Sequence, residues 1–599
     1  MPDSTDRSDV ALAETVFTLR FESMPGWVDD RHIAWLDDRS GVAHLFVGDI
    51  DSGERRQLTS GSERIQSLHV AAGSGRILVG TDTGGNERQQ LVLVGADGGE
   101  QRQLTHDPDR MHEPFLVSPD GQTALYRTND GASGEFSLYR VDLDTGDAVR
   151  FWDDAGQVRA HAMDTGGRVL ASLLTSNLDA DLYLIEPDGN RRAVLQVEDE
   201  SWIVDAAFSG DGERALVLTN AGRDYVALVA VDLTTGEMDT LLALDADVEA
   251  MALTPAADVI ALSINRDGYS EVRLGDLAAL DSLVEAALPA GVADRLAWSP
   301  DASTIVVGWT PTDRPARIQL VGRDGTSGQA LPDEPDDADF TGRSPELIAF
   351  TTWDGRNIPA FWYQGDRDDA PVVIDVHGGP ESQRRAAFHP VLQYLSASGF
   401  HVLTTNVRGS TGYGKAYSHL DDVELRMDSV RDLEYAHAWV RSRLGDEARI
   451  AIMGQSYGGF MTLAAITEYP SLWFAAVDVV GIANFVSFLE RTGPWRRRHR
   501  SAEYGTLERD RDLLERISPI RKVDEIEAPL LVIHGRNDPR VPLYETEQLV
   551  ASLEGRGHPV RMLVFDNEGH GLSKRSNRID GYAATVSFLQ AVADGTTEA

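Results

Sequence analysis

Residues 450–460 read IAIMGQSYGGF, and this stretch decides the fold of the C-terminal part of the chain. Its first four residues are apolar and predict a buried strand, while the run from Phe460 onward has the pattern of a helix. Between the two, Gly454 and Gly458 flank Ser456 in the pattern G-x-S-x-G. A strand, a sharp glycine-flanked turn and a helix hold such a serine above the carboxyl edge of a sheet. The stretch therefore predicts a mostly parallel sheet that carries a nucleophilic serine.

Two candidate partners for Ser456 follow it in the chain. The apolar stretch 529–533 predicts a strand whose following loop holds Asp538, and the stretch 560–565 predicts another whose loop holds His570. Serine, acid and histidine in this order, each after a strand, is the arrangement of the α/β-hydrolase fold. His570 would take the serine proton during attack on a carbonyl, and Asp538 would orient the imidazole. We therefore predict a catalytic triad of Ser456, Asp538 and His570 on a doubly wound α/β-hydrolase sheet.

An oxyanion hole requires two N–H donors close to the serine. One should be the N–H of Tyr457, and the other should come from a loop after an earlier strand. Residues 372–376 predict that strand, and it ends in the sequence HGGP. Gly378 and Gly379 allow the backbone to approach a tetrahedral oxygen, and which of the two donates stays open. His377 is more simply a structural residue that shapes this loop than a catalytic one.

Five motifs in the C-terminal part together resemble the prolyl oligopeptidase family of serine peptidases. They are HGGP (377–380), NVRGSTGYG (406–414), GQSYGG (454–459), NDPRVP (537–542) and EGHG (568–571). The first and fourth are most similar to the acylaminoacyl-peptidase branch. The prolyl-endopeptidase and dipeptidyl-peptidase branches usually have a tyrosine at the position of His377, so the resemblance implies an oxyanion hole made by the backbone alone. It also implies the same triad.

The resemblance further implies residues that bind substrate. It suggests that Arg540 points at peptide carbonyls of the substrate, a task that suits a guanidinium with several donors. The alternative for Arg540 is an ion pair that holds the acid loop in place. In the family, the region after the helix that follows the catalytic serine lines the pocket for the residue before the cleaved bond. Phe485, Phe488 and Trp495 are therefore candidate walls of this pocket. The alternative for the basic cluster at 491–500 is a cationic face docked on an acidic domain.

Residues 1–340 contain a repeat with a period of about 45 residues. Turn signals such as SPDG (118–121), SGDG (209–212) and SPD (299–301) recur, and strand-like segments follow each of them. A unit of this length with several strands is the size of a propeller blade. Seven units predict a seven-bladed β-propeller, and an eighth blade stays open.

These patterns divide the chain into three parts. We predict an N-terminal segment at 1–25, a β-propeller at 26–335 and an α/β-hydrolase domain at 340–599. In the family such a segment often packs on the hydrolase, and Val16 and Phe17 are apolar residues that suit this contact. A propeller above the active site would admit short peptides and exclude folded proteins, and the resemblance implies the same size filter.

The chain of 599 residues has 96 acidic and 55 basic residues and a formal net charge of −41. Residues 341–599 hold 35 acids and 29 bases, so nearly all of the excess lies in residues 1–340. Such a surface repels phosphate, so neither nucleic acid nor an acidic membrane is an expected partner. An acid-rich chain with only three lysines resembles proteins of salt-loving organisms, in which molar salt shortens the Debye length to about 3 Å. The alternative is a GC-rich genome that favours arginine over lysine.

Hydropathy and cysteine content bear on the cellular compartment and on the need for a metal or cofactor. No apolar run approaches the length of a membrane span, and the N-terminus lacks the pattern of a secretory signal. The absence of cysteine excludes disulfides and thiolate metal sites. A serine–histidine pair requires neither metal nor cofactor. We therefore expect a cytoplasmic protein without a cofactor, and a homo-oligomer stays open.

The sequence as a whole predicts a serine peptidase that acts on short peptides through an acyl-enzyme, most similar to an acylaminoacyl peptidase or related oligopeptidase. Three alternatives remain: a carboxylesterase on the same scaffold, a dipeptidyl peptidase or aminopeptidase, and a non-enzymatic propeller protein with a relict hydrolase domain. The acidic residues 198–200 resemble the acid pair with which dipeptidyl peptidases bind an amine, but a solvated acidic loop explains them more simply.

Overall fold

The computed structural model describes residues 7–129, 135–152, 156–334, 340–497 and 500–596, with only the backbone of Arg7 and Ser8. Parts of three sequence features lie outside these ranges. They are the first six residues of the N-terminal segment, residues 335–339 at the predicted domain boundary, and residues 498–499 of the basic cluster.

Seven four-stranded antiparallel sheets form a β-propeller, which confirms the prediction of seven blades. Each blade takes four consecutive strands, and these pair in chain order from the first strand to the fourth. The central strands are apolar on both faces because each blade packs between two neighbours. Strand β22, for example, is buried from Val259 to Asn265.

Within the described residues, the seven blades contain 28 strands. Blades 1 and 2 contain β1 (Glu22–Trp27), β2 (His32–Asp37), β3 (His44–Asp49), β4 (Arg55–Gln57), β5 (Ile65–Ala71), β6 (Arg76–Thr81), β7 (Gln90–Gly95) and β8 (Gln101–Gln103). Blades 3 and 4 contain β9 (His112–Val117), β10 (Thr123–Asn129), β11 (Phe136–Asp142), β12 (Ala148–Trp152), β13 (Gln157–Met163), β14 (Val169–Leu174), β15 (Ala180–Ile185) and β16 (Arg191–Leu195). Blades 5 and 6 contain β17 (Ile203–Phe208), β18 (Arg214–Thr219), β19 (Ala227–Asp232), β20 (Met238–Leu242), β21 (Val248–Leu253), β22 (Val259–Arg266), β23 (Tyr269–Asp276) and β24 (Val284–Glu285). Blade 7 contains β25 (Gly291–Trp298), β26 (Thr304–Pro311), β27 (Arg317–Gly322) and β28 (Ser327–Gln329).

The ring closes between blades 1 and 7, which share no strand. The indole nitrogen of Trp27 donates to the carbonyl of Ala297 at 2.9 Å, and the Glu22 N–H donates to a carbonyl of blade 7 at 3.1 Å. Strand β1 starts at Glu22 and so includes residues that the sequence analysis assigned to the N-terminal segment. A bulge at Met24, whose φ is +53°, interrupts the strand and hides its pattern in the sequence.

The C-terminal domain contains one eight-stranded sheet in the order β29-β30-β32-β31-β33-β34-β35-β36. Strands β29 and β30 are antiparallel to their neighbours, and the strands from β32 to β36 run parallel. The strands are β29 (Glu346–Thr351), β30 (Asn357–Tyr363), β31 (Val372–Val376), β32 (His401–Thr405), β33 (Ile450–Gln455), β34 (Ala476–Val479), β35 (Leu530–Gly535) and β36 (Val560–Phe565). This is the predicted mostly parallel α/β-hydrolase sheet.

Helices cover both faces of this sheet. The α-helices are α1 (Arg7–Phe17), α2 (Pro390–Ala397), α3 (Lys415–Ser418), α4 (Arg426–Leu444), α5 (Tyr457–Glu468), α6 (Phe485–Arg491), α7 (Pro494–Arg497), α8 (Ser501–Tyr504), α9 (Arg511–Ile517), α10 (Tyr544–Glu554) and α11 (Arg575–Ala593). Short 3₁₀ helices span Leu277–Ser282, Val423–Leu425, Pro470–Leu472 and Pro519–Glu525. In the described ranges, no helix is both long enough and apolar enough to span a membrane.

Alternation along the strands divides the core into two layers. In β31, Ile374 packs with α4, α5 and α10, whereas Val373 packs with α1, α2 and α11. The N-terminal helix α1 belongs to the second layer, because Phe17 stacks on Tyr582 of α11 with ring centroids 5.4 Å apart. The hydroxyl of Tyr394 in α2 donates to the backbone oxygen of Asp9 at 2.9 Å. The first helix of the chain is thus part of the hydrolase core.

The order of the strands determines which loops meet. Strand β31 lies between β32 and β33, and Val376 at its end is the partner of Gly454. The loop after β31 therefore lies beside the loop after β33 at the carboxyl edge of the sheet, where open α/β sheets place their ligands. The loops after β35 and β36 reach the same edge.

Candidate active site

The turn after β33 holds Ser456 in a strained conformation. Its φ is +60° and its ψ is −117°, and the Ser456 N–H donates to the carbonyl of Val479 at 2.8 Å. Glycine is required on both sides of the serine. A methyl group on Gly454 would collide with the carbonyl of Gly458, and one on Gly458 would collide with the carbonyl of Val376. The close packing of strand against helix thus explains why the turn has the sequence G-x-S-x-G.

Ser456, His570 and Asp538 form one hydrogen-bonded chain. His570 Nε2 lies 2.8 Å from Ser456 Oγ, and His570 Nδ1 lies 2.6 Å from Asp538 Oδ2. His570 follows β36 and Asp538 follows β35, so the parallel sheet brings together residues that are far apart in the chain. This is the geometry in which an imidazole takes a proton from a serine and a carboxylate fixes the imidazole.

The loop that carries Asp538 is built to keep its carboxylate charged. Burial by itself would raise the pKa of Asp538, but His570 beside it and hydrogen bonds hold the pKa below its usual value. The Arg540 and Val541 N–H groups donate to Asp538 Oδ1 at 2.8 and 3.1 Å. One oxygen therefore serves the histidine while the other is held by the backbone of its own loop.

Both predicted donors of the oxyanion hole lie next to the serine. Tyr457 is the first residue of α5, so its N–H has no carbonyl one turn earlier in the helix. Gly378 backs directly onto Ser456, because a methyl group on it would lie 3.4 Å from Ser456 Cβ. Gly379 follows with a φ of +133°. The structure brings Gly378 and Gly379 into the same loop and leaves the choice between their N–H groups open.

His377 is buried, and both of its ring nitrogens have partners outside the candidate triad. Its Nε2 lies 2.8 Å from Ser410 Oγ, and its Nδ1 lies 2.7 Å from the carbonyl of Gly378. Burial lowers the pKa of His377 to about 4, so the ring is neutral at physiological pH. These contacts fit a histidine that shapes the oxyanion loop.

The aromatic residues after the elbow helix fall into two groups. Phe485 and Phe488 are fully buried, and Tyr504 packs against both with centroids 5.2 and 6.0 Å away. Trp495 lies elsewhere, in a cluster with Met111 and Phe136 of the propeller. The structure thus brings Phe485 and Phe488 together and places Trp495 at the interface between the domains.

Arg540 meets an acid of the propeller. Its guanidinium forms an ion pair with Glu87, and Arg496 Nη2 lies 2.5 Å from the other oxygen of Glu87. Glu87 is nearly buried and has a φ of +60°, and the two arginines hold its pKa below the usual value in spite of burial. The ion pair was one of the two alternatives for Arg540, although here its partner comes from blade 2.

The propeller also touches the loops of the candidate triad directly. Asn537 Nδ2 donates to the carbonyl of Gly84 at 3.0 Å, beside the acid loop. A methyl group on Gly85 would lie 2.5 Å from the backbone nitrogen of Gly569, next to His570. Gly84, Gly85 and Glu87 were not predicted from the sequence, since nothing in their local sequence distinguishes them from other turn and acidic residues. To identify them, one would have to know which residues of the propeller contact the loops of the hydrolase domain.

Comparison with known proteins agrees with this architecture. Residues 386–596 match the model of the prolyl oligopeptidase family. Dipeptidyl aminopeptidase BIII of Pseudoxanthomonas mexicana is 27% identical over 602 aligned positions, which cover 95% of this chain and 86% of that protein. The acylamino-acid-releasing enzyme of Mus musculus is 30% identical over 231 residues, and the match covers 37% of this chain and 32% of that protein. A solved prolyl endopeptidase structure superposes with a TM-score of 0.85 at 20% identity, covering 98% of this chain and 91% of that chain.

Fold and family together define a serine hydrolase whose α/β domain is joined to a seven-bladed propeller. The chain is a serine peptidase whose C-terminal domain matches the prolyl oligopeptidase family over residues 386–596. The resemblance drawn from the five motifs is thereby confirmed.

Proposed function

We propose that the protein hydrolyses short peptides with Ser456 as nucleophile, His570 as general base and acid, and Asp538 as the residue that orients His570. The observation that carries this proposal is the chain of hydrogen bonds from Asp538 through His570 to Ser456, at 2.6 and 2.8 Å. Each of the three side chains follows a separate strand of one sheet. The three therefore need no rearrangement before Ser456 attacks the substrate.

The proposed reaction follows from this geometry. Ser456 Oγ attacks the peptide carbonyl while its proton passes to His570 Nε2, and an ester to the serine forms. The N–H of Tyr457 and that of Gly378 or Gly379 stabilise the negative oxygen of the intermediate. His570 then protonates the leaving amine, and water hydrolyses the ester by the same steps in reverse.

The propeller supports a preference for short peptides. Blade 2 packs on both loops of the proposed triad through Gly84, Gly85 and Glu87, so the propeller restricts access to Ser456. Such a restriction favours short peptides over folded proteins.

Two kinds of exopeptidase remain as candidates for the finer activity. The HGGP loop, in which the buried His377 takes the place of a tyrosine, favours an acylaminoacyl peptidase. The match over both domains to a dipeptidyl aminopeptidase favours release of dipeptides from a free N-terminus. In the structure Glu200, the last residue of the acidic run, lies 2.8 Å from His419 Nε2. Its carboxylate is thus already engaged by a cation of the hydrolase domain.

A panel of four substrates tests the proposal. We would compare acetyl-leucine, leucine and glycyl-proline p-nitroanilides with an internally quenched peptide, at low and at high salt. Preference for the acetylated amide would identify an acylaminoacyl peptidase, and preference for the dipeptide amide would identify a dipeptidyl peptidase. Turnover of simple esters without any amide would contradict the proposal and indicate a carboxylesterase.

Ser456→Ala is the control for this panel. We expect it to remove all amide turnover above background and to prevent labelling by a fluorophosphonate. Labelling of the natural protein at another residue, or none at all, would contradict the role of Ser456.

A further inference from the structure

A cavity of about 300 Å³ opens beside the catalytic histidine. His570 and Gly571 form one wall, Gln455 from the nucleophile turn forms another, and Arg64 of the propeller faces them. In the proposed mechanism His570 gives its proton to the departing amine, so the leaving peptide must lie next to this histidine. The cavity is thus placed to receive the part of the substrate that follows the cleaved bond. Its volume is at the lower end of the range for small-molecule sites, which suits a short leaving peptide.

Arg64 brings an unused positive charge to this cavity. It lies just before β5, and its backbone is fixed because Thr81 Oγ1 donates to its carbonyl at 2.9 Å. Its Nε is buried and has no hydrogen-bond partner. Among the residues that the structure describes, no carboxylate lies within ion-pair distance of its guanidinium. This is notable in a chain with 96 acidic residues and 55 basic ones.

The other charged groups of the cavity are already paired. Among the described residues of the lining, Glu568 is the one carboxylate, and it accepts hydrogen bonds from the Ser573 and Lys574 N–H groups at 3.0 and 2.8 Å. The second arginine of the lining, Arg578, lies 3.3 Å from Asp38. A ligand in the cavity would therefore find Arg64 as its free charged partner, together with the side-chain amide of Gln455.

We propose that Arg64 binds the carboxylate at the C-terminal end of the leaving peptide, so that the enzyme prefers substrates with a free carboxylate a short distance after the cleaved bond. This inference rests on the proposed peptidase function and defines its substrate class on the leaving-group side. A guanidinium is the side chain best suited to a carboxylate, because its planar donors match the two oxygens. The preference limits the enzyme to the ends of peptides.

Matched substrates test this directly. The best N-terminal group from the p-nitroanilide panel is joined to Gly-Ala acid, to Gly-Ala amide and to Gly-Glu amide. We expect kcat/KM for the acid to exceed that for the Gly-Ala amide by about tenfold at 0.1 M salt. Arg64→Gln should remove this difference by lowering kcat/KM for the acid to the value for the Gly-Ala amide. Faster hydrolysis of Gly-Glu amide than of Gly-Ala amide would show that a side-chain carboxylate also serves.

Arg192→Gln is the matched control. It removes the same charge from an exposed position on the outer strand of blade 4, and it should keep the preference for the acid. Equal rates for acid and amide in the natural protein would overturn the proposal, as would an Arg64→Gln variant that slows both equally.

A binding measurement separates this proposal from the proposed function. Calorimetry with Ser456→Ala measures the affinity for Gly-Ala and for its amide without any turnover. Tighter binding of the acid, lost when Arg64→Gln is added, supports the subsite even if no amide bond is hydrolysed. Equal affinity for both dipeptides would overturn it even if the peptidase activity is found.

Discussion

Asp478 is a buried carboxyl directly behind the nucleophile turn. It belongs to β34, where it is the partner of Gly454, and it is fully buried against Gly459 and Gly481. Burial raises its pKa to about 7, and the N–H of Gly481 offsets only part of this effect. Asp478 therefore holds a proton at mildly acidic pH and must release it inside the core as the pH rises.

This gives a prediction for stability against pH. In the unfolded chain Asp478 has its ordinary pKa of 3.8, so the folded state binds the proton more tightly. The stability that this group contributes is complete below pH 3.8 and is lost as the pH rises to about 7. Asp478→Asn cannot ionise, so it should gain about 2 kcal/mol relative to the natural protein between pH 5 and pH 8. Urea unfolding at several pH values measures this.

Asp446→Asn is the control for this prediction, because it makes the same substitution at a side chain that is 93% exposed. A constant difference between Asp478→Asn and the natural protein from pH 5 to pH 8 would contradict the assignment.

At the scale of elements, the segment 82–87 of blade 2 contacts the loops of the proposed triad. Gly85 faces Gly569 so closely that neither tolerates a side chain, and the Glu87 N–H donates to Asp82 Oδ2 at 2.7 Å to hold the bend. One short segment of the propeller thus fixes the loop of His570 and, through Glu87, the loop of Asp538.

Gly85→Ala should therefore reduce catalysis. The new methyl group would lie 2.5 Å from the Gly569 nitrogen and would displace the loop of His570. Because a shift of about 1 Å costs about 100-fold in rate, we expect kcat/KM to fall by about 10- to 100-fold. Hydrolysis of the best p-nitroanilide and a thermal melt measure activity and folding together.

Gly73→Ala provides the comparison. Gly73 has a similar φ, +81° against +77°, but a methyl group there would meet nothing within 4 Å. Both variants should lose similar stability from the backbone strain, and only Gly85→Ala should lose activity. Equal activity in the two variants would show that blade 2 does not position the histidine loop.

The residues that were predicted from the sequence belong to local patterns, whereas the residues that were missed depend on contacts between distant parts of the chain. Three features are local patterns: the turn around Ser456, the strands before Asp538 and His570, and the propeller repeat. The sequence therefore predicted the fold and the residues that the structure brings together. The resemblance gave Trp495 as a candidate pocket wall together with Phe485 and Phe488, and the structure places it in a cluster with Met111 and Phe136 of the propeller. Contacts of Gly85 and Arg64 join residues several hundred positions apart, and no periodic pattern records them.

At the scale of the whole molecule, the two domains meet through opposite charges. Acids of the propeller pair with bases of the hydrolase: Glu63 with Lys574, Glu87 with Arg496 and Arg540, Glu200 with His419, and Glu249 with Arg385. The propeller keeps a large excess of acid on its remaining surface. Self-repulsion there opposes the compact state unless salt screens it.

The melting temperature should therefore depend on salt. We expect it to rise by about 5 °C or more between 0.1 M and 2 M NaCl, because the exposed acids are screened while the partly buried interface pairs are screened less. Sodium chloride is the proper salt, since sulfate stabilises proteins by exclusion from their surface. An unchanged melting temperature over this range would remove the support for a salt-loving origin.

Two of the three lysines of the chain lie at the interface between the domains, and the third lies within the hydrolase domain. Lys574 Nζ lies 3.0 Å from Glu63 and Lys415 Nζ donates to the Glu200 carbonyl at 3.0 Å, so both amines bridge the domains. Lys522 pairs with Glu468 inside the hydrolase domain and is 40% exposed, against 13% for Lys574. An amine-directed acylating reagent should therefore modify Lys522 readily, and it should modify Lys415 and Lys574 faster once the domains separate. The acylation rates of Lys415 and Lys574, divided by the rate of Lys522, would therefore measure how often the two domains separate.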